Sequence, residues 1–197
     1  MAPYKIFLVI EESVRTCRAA AKDIYWKEKN LSQARELMEV AIALAATEGL
    51  TSEQKAMNFD LASFCWPGWD EAGIVVKEDD LAAGEHAANE NMRLAIELQR
   101  RAGPMVNAWF IIGAYHLVRK RWDEAIEAFM KQEAFAREVG EPDGILLAQG
   151  YRELSRGRKG DGSDLEAVLA ELESAPGENA AEFALQLRVA DRVFAGL

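Results

Sequence analysis

Two histidines, two cysteines and a few acidic pairs are the residues on which chemistry would have to rest in this 197-residue chain. His86 and Glu90 stand four apart, so a helix would present an imidazole and a carboxylate on one face, which is half of a metal site. No further Cys or His pair completes it, and no metal or cofactor is expected. Cys17 and Cys65 carry no sequence signature of a nucleophile, and there is no glycine-rich phosphate loop or serine-nucleophile motif. Glu11-Glu12 and Asp79-Asp80 read as solvated surface, because paired carboxylates act as acid and base only inside a pocket. His116 falls within a repeated helical pattern and reads as a packing residue. These residues point away from an enzyme and toward a binding protein.

One stretch breaks the helical rhythm of the chain: Cys65-Trp66-Pro67-Gly68-Trp69 sets two of the five tryptophans around a Pro-Gly turn. What it interrupts is set by composition and periodicity. Acidic residues outnumber basic ones, 33 to 23, giving a formal charge of -10 and a pI near 4.8, which disfavours a phosphate backbone or an anionic bilayer as partner. Neither nucleic acid nor membrane is expected. The N-terminal apolar run Ile6-Phe7-Leu8-Val9-Ile10 is followed at once by Glu11-Glu12 and lacks a cleavage site, so it is not read as a signal peptide. No stretch approaches the ~20 apolar residues of a membrane span. Two cysteines far apart in sequence argue against a disulfide framework and for a reducing cytoplasm.

Three segments share one pattern with identical internal spacing: Ala34, Met38, Ala41, Leu44 and Gly49; Ala88, Met92, Ala95, Leu98 and Gly103; Ala125, Phe129, Gln132, Phe135 and Gly140. Steps of four and three place these residues on one helix face, alanine where a neighbouring backbone comes close and a larger residue where a gap is filled. Each closing glycine suits a left-handed helix end. Gly113 and Gly150, 37 residues apart, open a second matching pair of segments, GAYHLVRKR and GYRELSRGR. Asn30 with Gln33, Thr51 with Gln54 and Ser163 with Glu166 have capping-box spacing, and Asp80 is placed to cap the helix that carries Ala88. Helices are predicted at about 3–28, 31–48, 52–65, 81–102, 105–119, 122–139, 143–156, 164–174 and 179–195, although YKIFLVI alone could pass for a strand.

This pattern resembles the tetratricopeptide repeat, a helix-turn-helix unit of about 34 residues. Trp109, Ile112, Gly113, Ala125 and Phe129 match the family's positions in the third repeat, with His116 in place of the usual tyrosine. Ala21, Tyr25, Ala34, Met38 and Ala41 match in the first, with Lys22 where the family has a small residue. The resemblance covers roughly residues 15–160 and looks like the longer-period variety of bacterial regulatory and scaffold proteins. It implies an all-α, right-handed superhelix of about four hairpins with an N-terminal extension, in a single domain over 1–197. The pairs would be 3–49, 51–103 with an insertion at 65–80, 105–140 and 143–174, with a capping helix at 179–195.

In the family, peptides lie along a concave groove lined by first helices. Carried over, that face includes Asp23 and Trp26, then Asn107, Phe110 and Ala114, then Leu147 and Tyr151. The Lys, Arg and Asn set with which chaperone-binding members hold a carboxylate is absent. The insertion has two readings. Trp66, Trp69, Ile74 and Val75 either fold back as a plug over the first helices, or Trp66 and Trp69 form a lip that anchors a partner. Arg119, Lys120, Arg121, Arg156 and Arg158 lie in successive turns and would form a basic rim, either as ordinary cations at helix ends or as a dock for an acidic segment.

The expected function is a non-catalytic, cytoplasmic adaptor that holds a peptide or helix of a partner protein. Its contacts would be Trp26, Trp66, Trp69, Asn107, Phe110, Leu147 and Tyr151. The alternatives are a self-associating subunit, such as a homodimer, or a small-molecule sensor or enzyme with a pocket under the insertion.

Overall fold

The computed structural model describes residues 3–99 and 101–196. Among them the chain forms nine α-helices and no strand: α1 (Pro3–Asp23), α2 (Leu31–Thr47), α3 (Thr51–Phe64), α4 (Glu78–Glu97), α5 (Ala102–Val118), α6 (Trp122–Val139), α7 (Pro142–Lys159), α8 (Leu165–Ser174) and α9 (Ala180–Val193). The YKIFLVI segment is helical, and α1 runs on into a π-helical turn at Ile24–Glu28. A 3-10 turn occupies Pro67–Trp69.

The helix ends follow local chemistry. Asn30 caps α2 as its spacing predicts, its side-chain oxygen accepting from the Gln33 amide at 3.1 Å. The other boxes resolve differently. Helix α3 begins at Thr51 behind Leu50 without a side-chain cap from it, and α8 is preceded by Asp164, with the Ser163 hydroxyl accepting from the Leu165 amide at 3.2 Å. Asp80 does not start α4 but lies in its first turn beside Glu78 and Asp79, where negative charge suits the helix dipole. Its carboxylate reaches back to accept from the Lys77 amide at 3.0 Å. Gly49 and Gly140 hold the expected left-handed conformation, at φ 68° and 73°. Gly103 does not: it lies in the first turn of α5, and Gln99 takes the positive φ instead.

The helices pack in two compact units, each helix on its neighbour in sequence. The first unit comprises the chain up to Trp66 together with Glu71–Leu98. In it α1 packs on α2, α2 on α3 and α3 on α4. Its core gathers Val14, Ala21, Tyr25, Met38, Met57, Leu61, Phe64 and Trp66, with the Tyr25 and Phe64 rings stacked at 4.3 Å between centroids. Ion pairs tie helices at the edges of this core: Arg18 to Asp60 at 2.7 Å and Arg35 to Asp80 at 3.0 Å. The Asn91 amide of α4 donates to the Lys55 carbonyl of α3 at 2.8 Å.

The second unit comprises Pro67–Asp70 together with the chain from Gln99 onward. Here α5 packs on α6, α6 on α7, α7 on both α8 and α9, and α9 on the 3-10 turn. The two glycines that align in sequence each admit a large side chain. A Cβ on Gly113 would come within 2.6 Å of the Phe129 ring, and one on Gly150 would strike Leu187. Gly113 thus receives the partner helix of its own hairpin, whereas Gly150 receives α9. Lys131 lays its ammonium 4.4 Å from the centre of the Trp109 ring.

Candidate functional site

The residues singled out by sequence converge most closely in the second unit. Helix α5 places Phe110 and helix α7 places Tyr151, and the two rings meet edge to face at 5.4 Å between centroids. Tyr151 also stacks on Phe129 of α6 at 5.2 Å. The 3-10 turn lays Trp69 against Phe110, at 6.3 Å between centroids and tilted by 43°. A continuous row of four rings, Trp69, Phe110, Tyr151 and Phe129, therefore runs from a half-buried indole into a fully buried core.

The turn that carries Trp69 is held at both ends. Pro67 fixes its own φ, and the Asp70 amide donates to the Pro67 carbonyl at 3.1 Å. Asp70 sits at φ 49°, a left-handed conformation that aspartate tolerates better than most residues. This aims its carboxylate at α9, where Arg192 donates to it at 2.7 Å. Both side chains of that pair are more than half exposed, so it is worth about 0–1 kcal/mol. The Trp69–Phe110 pair adds about 0.5–1.5 kcal/mol beyond its buried area.

Phe110, Leu147 and Tyr151, expected as groove contacts, are buried side chains. Phe110 and Leu147 are each 7% exposed and Tyr151 is fully buried. Trp69 covers the first, and Gln186 of α9 donates to the Tyr151 hydroxyl at 2.9 Å. Burial pushes the Tyr151 phenol above its ordinary range, with the Gln186 hydrogen bond opposing it only in part. Ala114 is likewise in the core. Asn107 remains exposed on α5.

In the first unit, Trp26 projects from the π-helical turn at 46% exposure, edge-on to Tyr25 and beneath the Lys29 ammonium. Asp23 pairs with Lys27 at 2.9 Å. Trp66 is 1% exposed, a core position, whereas Val75 is 74% exposed and takes no part in a plug. The polar groups of the insertion region disperse. Asp70 goes to Arg192, Glu71 to Lys29 at 2.6 Å, and His86 with Glu90 to a cleft of about 310 Å³ floored by Ile42, Leu61 and Ala87. Among the described residues no three His, Cys, Asp or Glu come together as a metal site. No helix of the described residues is long and apolar enough to cross a membrane.

The expected basic rim is largely committed to ion pairs. Arg156 meets Glu153 at 3.2 Å, and Arg158 meets Asp191 at 2.5 Å. Arg119 and Arg121 are half-buried at the turn between α5 and α6, and Lys120 is exposed there at φ 59°. Sequence reasoning missed the network behind this rim. Glu133 of α6 accepts from Gln149 at 2.8 Å and from Arg152 at 2.7 Å, both on α7, and pairs with Arg137 on its own helix. Burial alone would push the Glu133 carboxyl up, but the hydrogen bonds from Gln149 and Arg137 and the charge of Arg152 outweigh it and hold the carboxyl low. The spacing of Glu133 and Arg137 was the available signal; the α7 partners needed the packing.

No protein-family model matches the chain, and no curated protein or solved structure matches it either.

Proposed function

We propose that the chain is a non-catalytic protein-interaction module, a right-handed stack of tetratricopeptide-like hairpins that holds a segment of a partner protein. The observation that supports this reading is a shared burial register. Helices α2, α4 and α6 bury Ala34, Met38 and Ala41, then Ala88, Met92 and Ala95, then Ala125, Phe129 and Gln132, at the same spacing each time. Small residues in that register let successive helices approach, and stacked hairpins present an extended face suited to a peptide. Taken unit by unit, Trp26 is an exposed residue expected at such a face in the first unit and Asn107 is one in the second. Both cysteines are free thiols, in keeping with an adaptor of a reducing cytoplasm.

A photo-crosslinking residue at position 107 or 26, introduced in native cells, tests the reading. The expected result is a discrete adduct with one protein from these positions and none from Val40, which is exposed on a second helix. Adducts from position 40 alone would overturn the placement of the face, and an adduct of twice the chain's mass would favour self-association.

A further inference from the structure

We infer that Pro67–Asp70 is a resident occupant of a peptide seat on the second unit, and that the partner segment presents the same chemistry: a large aromatic residue followed directly by a carboxylate. This rests on the interaction-module reading and deepens it. Three observations carry it. Pro67–Asp70 packs with the second unit, whereas the residues on either side of it, Trp66 and Glu71, pack with the first. Trp69 continues a row of rings whose inner members belong to the core, so its place on Phe110 is a ready-made aromatic subsite. Asp70 meets Arg192 on α9 at 2.7 Å, which supplies charge complementarity at a fixed offset from that subsite.

Trp69 is only half-buried, and both side chains of the Asp70–Arg192 pair are more than half exposed, so these two groups are open to exchange with those of a partner. A partner competing with the resident turn sees its affinity reduced by the fraction of time the seat is empty. Emptying the seat by mutation removes that penalty. This prediction runs opposite to that for a binding lip, in which loss of Trp69 would abolish binding.

The probe is a capped, fluorescein-labelled peptide with the chain's own sequence Pro-Gly-Trp-Asp-Glu-Ala, titrated into wild type and into Trp69→Ala/Asp70→Ala and followed by anisotropy. The expected result is saturable binding at least tenfold tighter to the variant. Adding Arg192→Glu should remove it, and a peptide with Lys in place of the Asp should restore it to that charge-reversed protein. No saturable binding to the folded variant, or binding indifferent to Arg192, overturns the inference. Should the double variant not fold, Asp70→Lys alone, at an exposed side chain, is expected to tighten the peptide over wild type, and no change would overturn the inference. A partner crosslinked at position 107 while this peptide fails would leave the module reading standing and remove only the seat.

Discussion

Replacing Gly113 with alanine would set a methyl group 2.6, 2.8 and 2.9 Å from three atoms of the Phe129 ring, which is itself fully buried. The ring would have to retreat by most of an ångström into a packed interior, at an overpacking cost of about 1–3 kcal/mol. Alanine's helix propensity offsets about 1 kcal/mol of that, leaving Gly113→Ala destabilised by about 0–2 kcal/mol. Gly113→Val, with two more carbons and a stiffer χ1, should lose about 2–3 kcal/mol. Phe129→Leu alone should cost about 1–2 kcal/mol through the space it leaves. If the methyl and the ring compete for one volume, these effects cannot add. Gly113→Ala/Phe129→Leu should then be more stable than the sum of the single variants by about 1 kcal/mol or more. Guanidinium unfolding followed by far-ultraviolet circular dichroism measures all four proteins. Additivity within about 0.5 kcal/mol would refute the claim that this glycine exists to admit Phe129.

Two further predictions concern titratable groups. Burial, with the Asp80 charge adding to it, pushes the Cys65 thiol up to about 12; one thiol, the half-exposed Cys17, should react with Ellman's reagent in the native protein at pH 8, and two in guanidinium. Two fast native thiols would contradict the burial of Cys65. Because Glu133 has a depressed folded-state pKa, its contribution is fully present above the unfolded carboxyl value of about 4.3 and is lost as pH falls through the lower folded value. Glu133→Gln should therefore be less stable than wild type by about 1–2 kcal/mol at pH 7, partners reaching solvent keeping the figure modest. The gap should narrow as pH falls below that unfolded value and through the lower folded one, and a gap independent of pH would show that the network is not held by the charge.

Helix α6 was legible to the residue, because the period of Ala125, Phe129 and Phe135 and the closing Gly140 agree. Helix α4 was misplaced at its start because an aspartate in the first turn and an aspartate at the cap look alike in sequence. Gly103 was misread for a related reason: its spacing matched the other closing glycines, while the chain turned at Gln99. The site was harder to read than the helices. Phe110 and Tyr151, which helical register places on related faces of their helices, do meet ring to ring. That α9 and Trp69 would fill the space over them depends on contacts far apart in sequence, as does the pairing of Asp70 with Arg192 across 122 positions. Repetition reveals local packing, and it does not reveal which face the irregular parts of the chain return to cover.

The central claim is that this surface holds a segment of another protein. The direct measurement is calorimetric titration of the purified chain with the partner segment mapped by the crosslink at position 107. One saturable site with a negative heat-capacity change, as expected for apolar surface buried on binding, is the predicted result. A segment that gives no binding heat at any temperature, or that is chemically altered on incubation with the chain, would contradict it.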